Sequence, residues 1–189
     1  ARQHAAMALL GIQRVSMNLS TRDLMDLELP EKLDAILRRQ GARAEAFCLE
    51  ITESAIMDDP ERAEGTLNRL AQRGYKLSID DFGTGYSSLA YLKRLPVQEL
   101  KIDKSFVMGM ERAGGDTPVV RSTIDRAHLL GLSVVAEGVE NAHIQQRLAE
   151  MGCDEAQGYH LSKPVPLAAL QDWARQRAGQ PPVVVAAAT

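Results

Sequence analysis

Cysteine is scarce. Cys48 and Cys153 are the two in the 189-residue chain, and neither belongs to a CxxC or a Cys/His run. That excludes a disulfide framework and points to a reducing compartment, with both thiols packed as small apolar side chains. No run approaches the ~18 to 20 apolar residues of a membrane span, and the opening ARQHAAMALL lacks the charged, apolar, small order of a signal peptide. The expectation is a cytoplasmic domain with no direct membrane insertion. Positive charge is not massed either: 22 Lys and Arg against 25 Asp and Glu leave a net charge of −3, scattered along the chain. DNA and RNA are therefore not expected partners, although a small phosphate ligand remains open. His4, His128, His143 and His160 show no pair at ligand spacing and none is assigned to a metal.

Against these absences, 45% hydrophobic residues supply material for one domain with a sizeable core. Short β-type runs alternate with longer amphipathic stretches. Strands are predicted at 12–19, 46–52, 76–80, 98–102, 132–136 and, weakly, 155–158. Helices are predicted at 30–39, stopped near Gly41; at 60–72, capped by Asp59 and stopped at Gly74; at 117–130, with Thr117 as cap; at 142–151, capped by Asn141; and at 166–177. On the last helix Leu170 and Trp173 read as core. The domain is expected over 1–177, with 178–189 as a flexible C-terminal tail broken by a Pro-Pro pair.

Strand–helix alternation implies an α/β fold with a parallel sheet. Asn18, Glu50, Asp80, Lys101, Glu137 and Gln157 each fall at or next to the C-terminal end of a different strand, which favours a TIM-type (β/α)8 barrel over an open sheet. Within QELKID, Leu100 and Ile102 share one face and Glu99, Lys101 and Asp103 the other, so the polar set can point into a barrel mouth. A closed barrel needs eight strands and about six βα units are found, so roughly two N-terminal elements are expected to lie outside this sequence.

Asn18, Glu50, Asp80 and Asp81 offer an amide and three carboxylates, hard oxygen donors suited to Mg²⁺ or Mn²⁺. Adjacent carboxylates repel unless a cation sits between them, and a shared aspartate is what a two-metal site uses. The bland reading has Asp81 merely capping the next helix or turn. Lys101 can orient water or neutralise charge on phosphorus; alternatively it pairs with Asp103 or Glu99, or forms a Schiff base. Glu137 in AEGVEN is a candidate for metal or water, while the plainer reading of Glu140 is that it only prepares the helix start at Asn141. Glu53, three residues beyond Glu50, reads as a brace for a neighbouring loop, and Gln157 as a weak candidate for contacting a base or phosphate.

The runs SMNLS (16–20), LEITES (49–54), SIDDFGTGYSSL (78–89), LKIDKSFV (100–107), VVAEGVE (134–140) and QGYHLSKP (157–164) closely resemble the EAL domain family of cyclic-di-GMP phosphodiesterases. The likeness runs in order from about Gly11 to Trp173. It implies a (β/α)8 barrel with one antiparallel strand, which hydrolyses cyclic di-GMP to linear pGpG with Mg²⁺ or Mn²⁺ in bacterial signalling. By matching position, Asn18, Glu50 and Asp80 are expected to ligate the first metal, Asp80 and Asp81 to serve the second, and Lys101 and Glu137 to complete the catalytic set with Asp81. Asn18 and Gln157 are expected near substrate. Glu53 and Glu140 are expected to anchor the loop of Phe82, Gly83, Thr84, Gly85, Tyr86, Ser87 and Ser88, which would link metal binding to a homodimer. Sensor or GGDEF-type modules are expected to flank the domain in a longer protein.

The Glu-Ala-Leu motif that names the family, and the arginine after it, precede the point where this sequence starts. The expectation is an N-terminally incomplete or inactive chain, and the alternative to a phosphodiesterase is a non-catalytic cyclic-di-GMP receptor or dimeric regulatory module. A lyase using Lys101 as an imine is the third reading.

Overall fold

Six strands alternate with helices among residues 14–83, 89–112 and 114–176, which the computed structural model describes. They fall into two units, one of residues 14–80 and 89–98, the other of 81–83, 99–112 and 114–176.

The first unit runs β1 (Val15–Leu19), α1 (Thr21–Leu24), α2 (Leu29–Gln40), β2 (Phe47–Thr52), α3 (Glu53–Met57), α4 (Pro60–Gln72), β3 (Lys76–Phe82, its last two residues belonging to the second unit) and α5 (Leu89–Leu92). β1, β2 and β3 pair in parallel, with Asn18 opposite Glu50, Glu50 opposite Ser78 and Thr52 opposite Asp80. Leu49, Ile51, Leu77 and Ile79 are fully buried, as are Ala63, Leu67 and Leu70 of α4, spaced to fall on one helix face. The expected punctuation is present. Asp59 accepts the Arg62 N–H at 3.2 Å, with Pro60 in the first turn, and Gly41 and Gly74 end the helices with φ of 61° and 91°. Ion pairs Arg69–Glu31 (2.7 Å) and Arg73–Asp34 (2.9 Å) join α4 to α2. Burial, with the Asp34 carboxylate adding to it, pushes the Tyr75 hydroxyl up to about 12.

The second unit runs β4 (Glu99–Ile102), α6 (Lys104–Gly109), α7 (Thr117–Leu129), β5 (Ser133–Ala136), α8 (Ala142–Glu150), β6 (Glu155–Ala156) and α9 (Leu167–Gln176). β4, β5 and β6 are again parallel, with Lys101 opposite Val135 and Val135 opposite Glu155. Asn141 caps α8 by accepting the Ile144 N–H at 3.0 Å. Thr117 does not cap α7: Asp116 holds that position, and the Thr117 hydroxyl accepts from Arg147 Nη2 at 2.7 Å instead. Leu170 and Trp173 are half-buried, and Ala174 is the buried residue of α9. His128 Nε2 lies 2.8 Å from Asp154 Oδ2, which also accepts the Val134 N–H at 2.7 Å, so this histidine has a structural partner. Cys48 is buried; Cys153 donates to the Glu155 carbonyl at 3.3 Å, and burial lifts its thiol to about 11.

α1, α3, α5 and α6 were not predicted. Each has four to six residues, too few for a helical period to show. Among the described residues, no helix is long and apolar enough to cross a membrane.

Candidate active site

In the first unit the candidate residues follow strand register. Alternation along a strand places every second residue on one face. Asn18 of β1 lies opposite Glu50 of β2, and Glu50 opposite Ser78 of β3, so the three share a face; Thr52 and Asp80, two residues further along, lie on that face as well. Asn18 is exposed, Asp80 half-buried, and Glu50 buried at 8% exposure. The strand ends thus bring an amide and two carboxylates to one edge of this sheet. Glu53 occupies the first turn of α3, which Thr52 caps by accepting the Ala55 N–H at 3.3 Å, and it is buried at 3% exposure.

In the second unit Lys101 and Glu137 form an ion pair, Nζ to Oε1, of 2.7 Å, the lysine side chain being 4% exposed and the glutamate 17%. Register explains the meeting. Lys101 lies opposite Val135, and Glu137, two residues beyond Val135, returns to the same face just past the end of β5. The turn carrying Glu137 is pinned on both sides: the Glu137 N–H donates to the Ile102 carbonyl at 3.1 Å, and the Val139 N–H to the Gln157 carbonyl at 3.0 Å. Gln157 itself donates its N–H to the Ala136 carbonyl at 2.8 Å, so its backbone belongs to this clasp. Glu140 is exposed, one residue before the Asn141 cap.

Asp80 and Asp81 pose a geometric problem, because neighbours on a regular strand point to opposite faces. Asp81 departs from regularity. It is the one non-glycine residue with positive φ among those described, at 53°, a left-handed conformation that aspartate tolerates better than most residues. With the pleat broken there, Asp81 and Glu137, both of the second unit, bring carboxylate oxygens within 4.8 Å of one another.

Like charges at that spacing repel by about 3 kcal/mol per pair at an effective dielectric near 20. Lys101 offsets one of the two charges, and the three groups together stay negative. A divalent cation matches both that excess and the donor chemistry, since carboxylate oxygens without imidazole or thiolate suit hard ions. The residues present therefore fit a divalent metal. Of the expected loop, Phe82 and Gly83 are described, Phe82 buried and Gly83 exposed with φ of 99°; Thr84, Gly85, Tyr86, Ser87 and Ser88 lie outside the described residues. Sequence reasoning missed the left-handed turn at Asp81 and the close packing of Gly83, Gly138 and Gly158. The glycines in DDFG, AEGVE and QGY were the visible signal.

The sequence profile of the EAL domain matches residues 1–164. Cyclic di-GMP phosphodiesterase NbdA of Pseudomonas aeruginosa is 43% identical over 162 residues, 86% of this chain and 21% of that protein. The chain spans about a fifth of the length of the curated relatives it matches. Among solved structures, the MucR phosphodiesterase of Pseudomonas aeruginosa in complex with c-di-GMP superposes with a TM-score of 0.83 at 36% identity, over 89% of this chain and 69% of that one. A calcium and c-di-GMP complex of BlrP1 from Klebsiella pneumoniae gives 0.74 at 30% identity, over 83% of this chain and 40% of that one. The fold class is accordingly the α/β, TIM-barrel type of the solved relatives.

Proposed function

The chain belongs to the EAL domain family, and from that premise we propose that it is the phosphodiesterase domain that hydrolyses cyclic di-GMP to linear pGpG, with Mg²⁺ or Mn²⁺ as cofactor. The observation that carries the reading is the carboxylate pair of Asp81 and Glu137, within 4.8 Å of one another, with Lys101 at 2.7 Å from Glu137. A binding-only domain has little use for a lysine buried against such a group. The relatives named as cyclic di-GMP phosphodiesterases, and the solved complexes with c-di-GMP, supply the substrate class.

Asn18, Glu50 and Asp80 would hold one cation and Asp80 with Asp81 a second. Ions so held supply Lewis-acid polarisation of the phosphodiester and activation of water. The remaining work falls to the chain's own groups. Lys101, kept in place by Glu137, directs N–H donors at charge developing on phosphorus, a type of contribution worth about 10² to 10³ in rate. Glu137 fixes the lysine head and accepts from water. Asn18 and Gln157 line the substrate side. Glu53 and Glu140 anchor the segment Phe82–Ser88, which would link the site to a homodimer partner, and sensor or GGDEF-type modules accompany the domain in a longer protein.

The test is turnover by the full-length protein with Mn²⁺, followed by separation of nucleotides. The expected product is pGpG, abolished by EDTA and restored by Mn²⁺. Saturable cyclic-di-GMP binding without any linear product would replace the enzyme with a receptor.

A further inference from the structure

Two glycines adjoin the carboxylates of the second unit, and both rest on the same turn of helix. Gly83, two residues after Asp81, has φ of 99°, and a Cβ placed on it would stand 2.9 Å from Phe106 Cε2 and 3.3 Å from Cζ. Gly138, directly after Glu137, has φ of 70°, and its Cβ would stand 2.6 Å from Lys104 Cβ and 3.1 Å from Lys104 Cα. These distances leave no room for a side chain. The backbone on the Asp81 side lies against the Phe106 ring, and the backbone on the Glu137 side lies against Lys104. Lys104 and Phe106 belong to the first turn of α6, which starts two residues after β4 ends at Ile102.

That turn is itself held firmly. Asp103 caps it, its Oδ1 accepting both the Ser105 N–H at 2.9 Å and the Ser105 hydroxyl. Partial burial alone would raise the Asp103 carboxyl, yet these bonds hold it below the usual carboxylate range. The Ile102 carbonyl, just before it, accepts the Glu137 N–H at 3.1 Å. Further along, Arg147 Nη1 donates to the Met110 carbonyl at 2.9 Å, and Asn141 Nδ2 donates to Glu111 Oε1 at 2.7 Å. The helix is thus fixed at both ends within the unit that carries Glu137.

We propose that the first turn of α6 is the spacer that sets the distance between Asp81 and Glu137, and that Phe106 and Gly138 are positioning residues for the divalent cation. Neither supplies a ligand atom. The Phe106 ring backs the left-handed turn at Asp81, and Lys104 backs the turn at Glu137, so the two carboxylates close to within 4.8 Å across a fixed gauge. The inference deepens the metal-dependent reading above and rests on it. Outer residues that orient ligands typically change metal affinity 10- to 100-fold when altered.

The experiment is Mn²⁺ titration of the full-length protein, read by electron paramagnetic resonance of free Mn²⁺, for wild type, Phe106→Leu, Gly138→Ala and the control Val120→Ala. Val120 lies on α7 of the same unit and is fully buried, so its truncation loosens the core without touching the spacer. Phe106→Leu and Gly138→Ala are each expected to weaken Mn²⁺ binding by about tenfold or more, with the control within about twofold at temperatures where all remain folded. Wild-type affinity in Phe106→Leu, or an equal loss in Val120→Ala, overturns the spacer. Hydrolysis measured on the same samples separates the two ideas. A wild type that binds Mn²⁺ with the Phe106 effect intact but makes no pGpG removes the hydrolase reading alone, whereas a wild type that takes up no Mn²⁺ overturns both.

Discussion

The two units present their candidate residues by different means. The first presents Asn18, Glu50 and Asp80 from three consecutive parallel strands, aligned by register alone. The second presents Asp81 from a left-handed residue, Lys101 from the middle of β4 and Glu137 from a turn whose glycine has positive φ. Pleated strands tolerate side-chain exchange because the hydrogen-bond ladder holds the backbone whatever the side chain is. A bend against a helix turn has no such ladder, and its geometry depends on what packs against it. The first unit's set should therefore respond to substitution as chemistry and the second unit's as structure as well.

The largest effect that bears on this contrast is the comparison of Glu50→Gln with Lys101→Met. Each is expected to lower kcat by about 10² to 10³ in cyclic-di-GMP hydrolysis. Lys101→Met should in addition cost about 3 kcal/mol in urea unfolding, since it removes a buried lysine from its ion pair and leaves the half-buried Glu137 carboxylate without that partner, while Glu50→Gln should stay within about 1 kcal/mol. A stability loss at Glu50 matching that at Lys101 would break the contrast.

Glycine-to-alanine exchange sharpens it without touching any ligand. A Cβ on Gly158 would lie 2.1 to 2.6 Å from the backbone of Val139, so Gly158→Ala should cost about 3 kcal/mol and shift the clasp around Glu137. Gly65, inside α4 of the first unit, has nothing within 4 Å of its Cβ position, and Gly65→Ala should stabilise by about 0.5 to 1 kcal/mol. Opposite signs in the two denaturation midpoints are the expected result.

The smallest effect is on the thiols. Cys153, held near 11 by burial, is neutral at pH 8, and its thiolate grows in only as the pH rises toward that value. Iodoacetamide should label it about a hundredfold more slowly than a free thiol of pKa ~8.5. Cys48, buried in the first unit at 1% exposure, should be equally silent in the native protein. Fast labelling of one cysteine would mark its unit as the one that opens.

Much of the local structure was readable from residue order. The caps at Asp59 and Asn141, the stops at Gly41 and Gly74 and the positions of the six strands follow local rules, because turn and cap residues act within a few positions of themselves. The pairing of Lys101 with Glu137 was not readable: Asp103 and Glu99 were its expected structural partners, and only the register of β4 on β5 selects Glu137. The cap of α7 was misread because Thr117 is drawn instead to Arg147, thirty positions away in sequence.

Local chemistry along the chain by itself determined the alternation of strand and helix, the oxygen-only donor set and the placing of one polar residue per strand end. Periodicity and residue type are local properties, and they survive without a neighbour. The side on which Asp81 presents its carboxylate was decided by tertiary structure alone. A regular strand would have turned it to the face opposite Asp80, whereas the left-handed turn at φ 53°, with Gly83 lying against Phe106, presents it within 4.8 Å of Glu137. Aspartate tolerates that conformation better than most residues, but tolerance alone does not select it; the packing of Gly83 on α6 does.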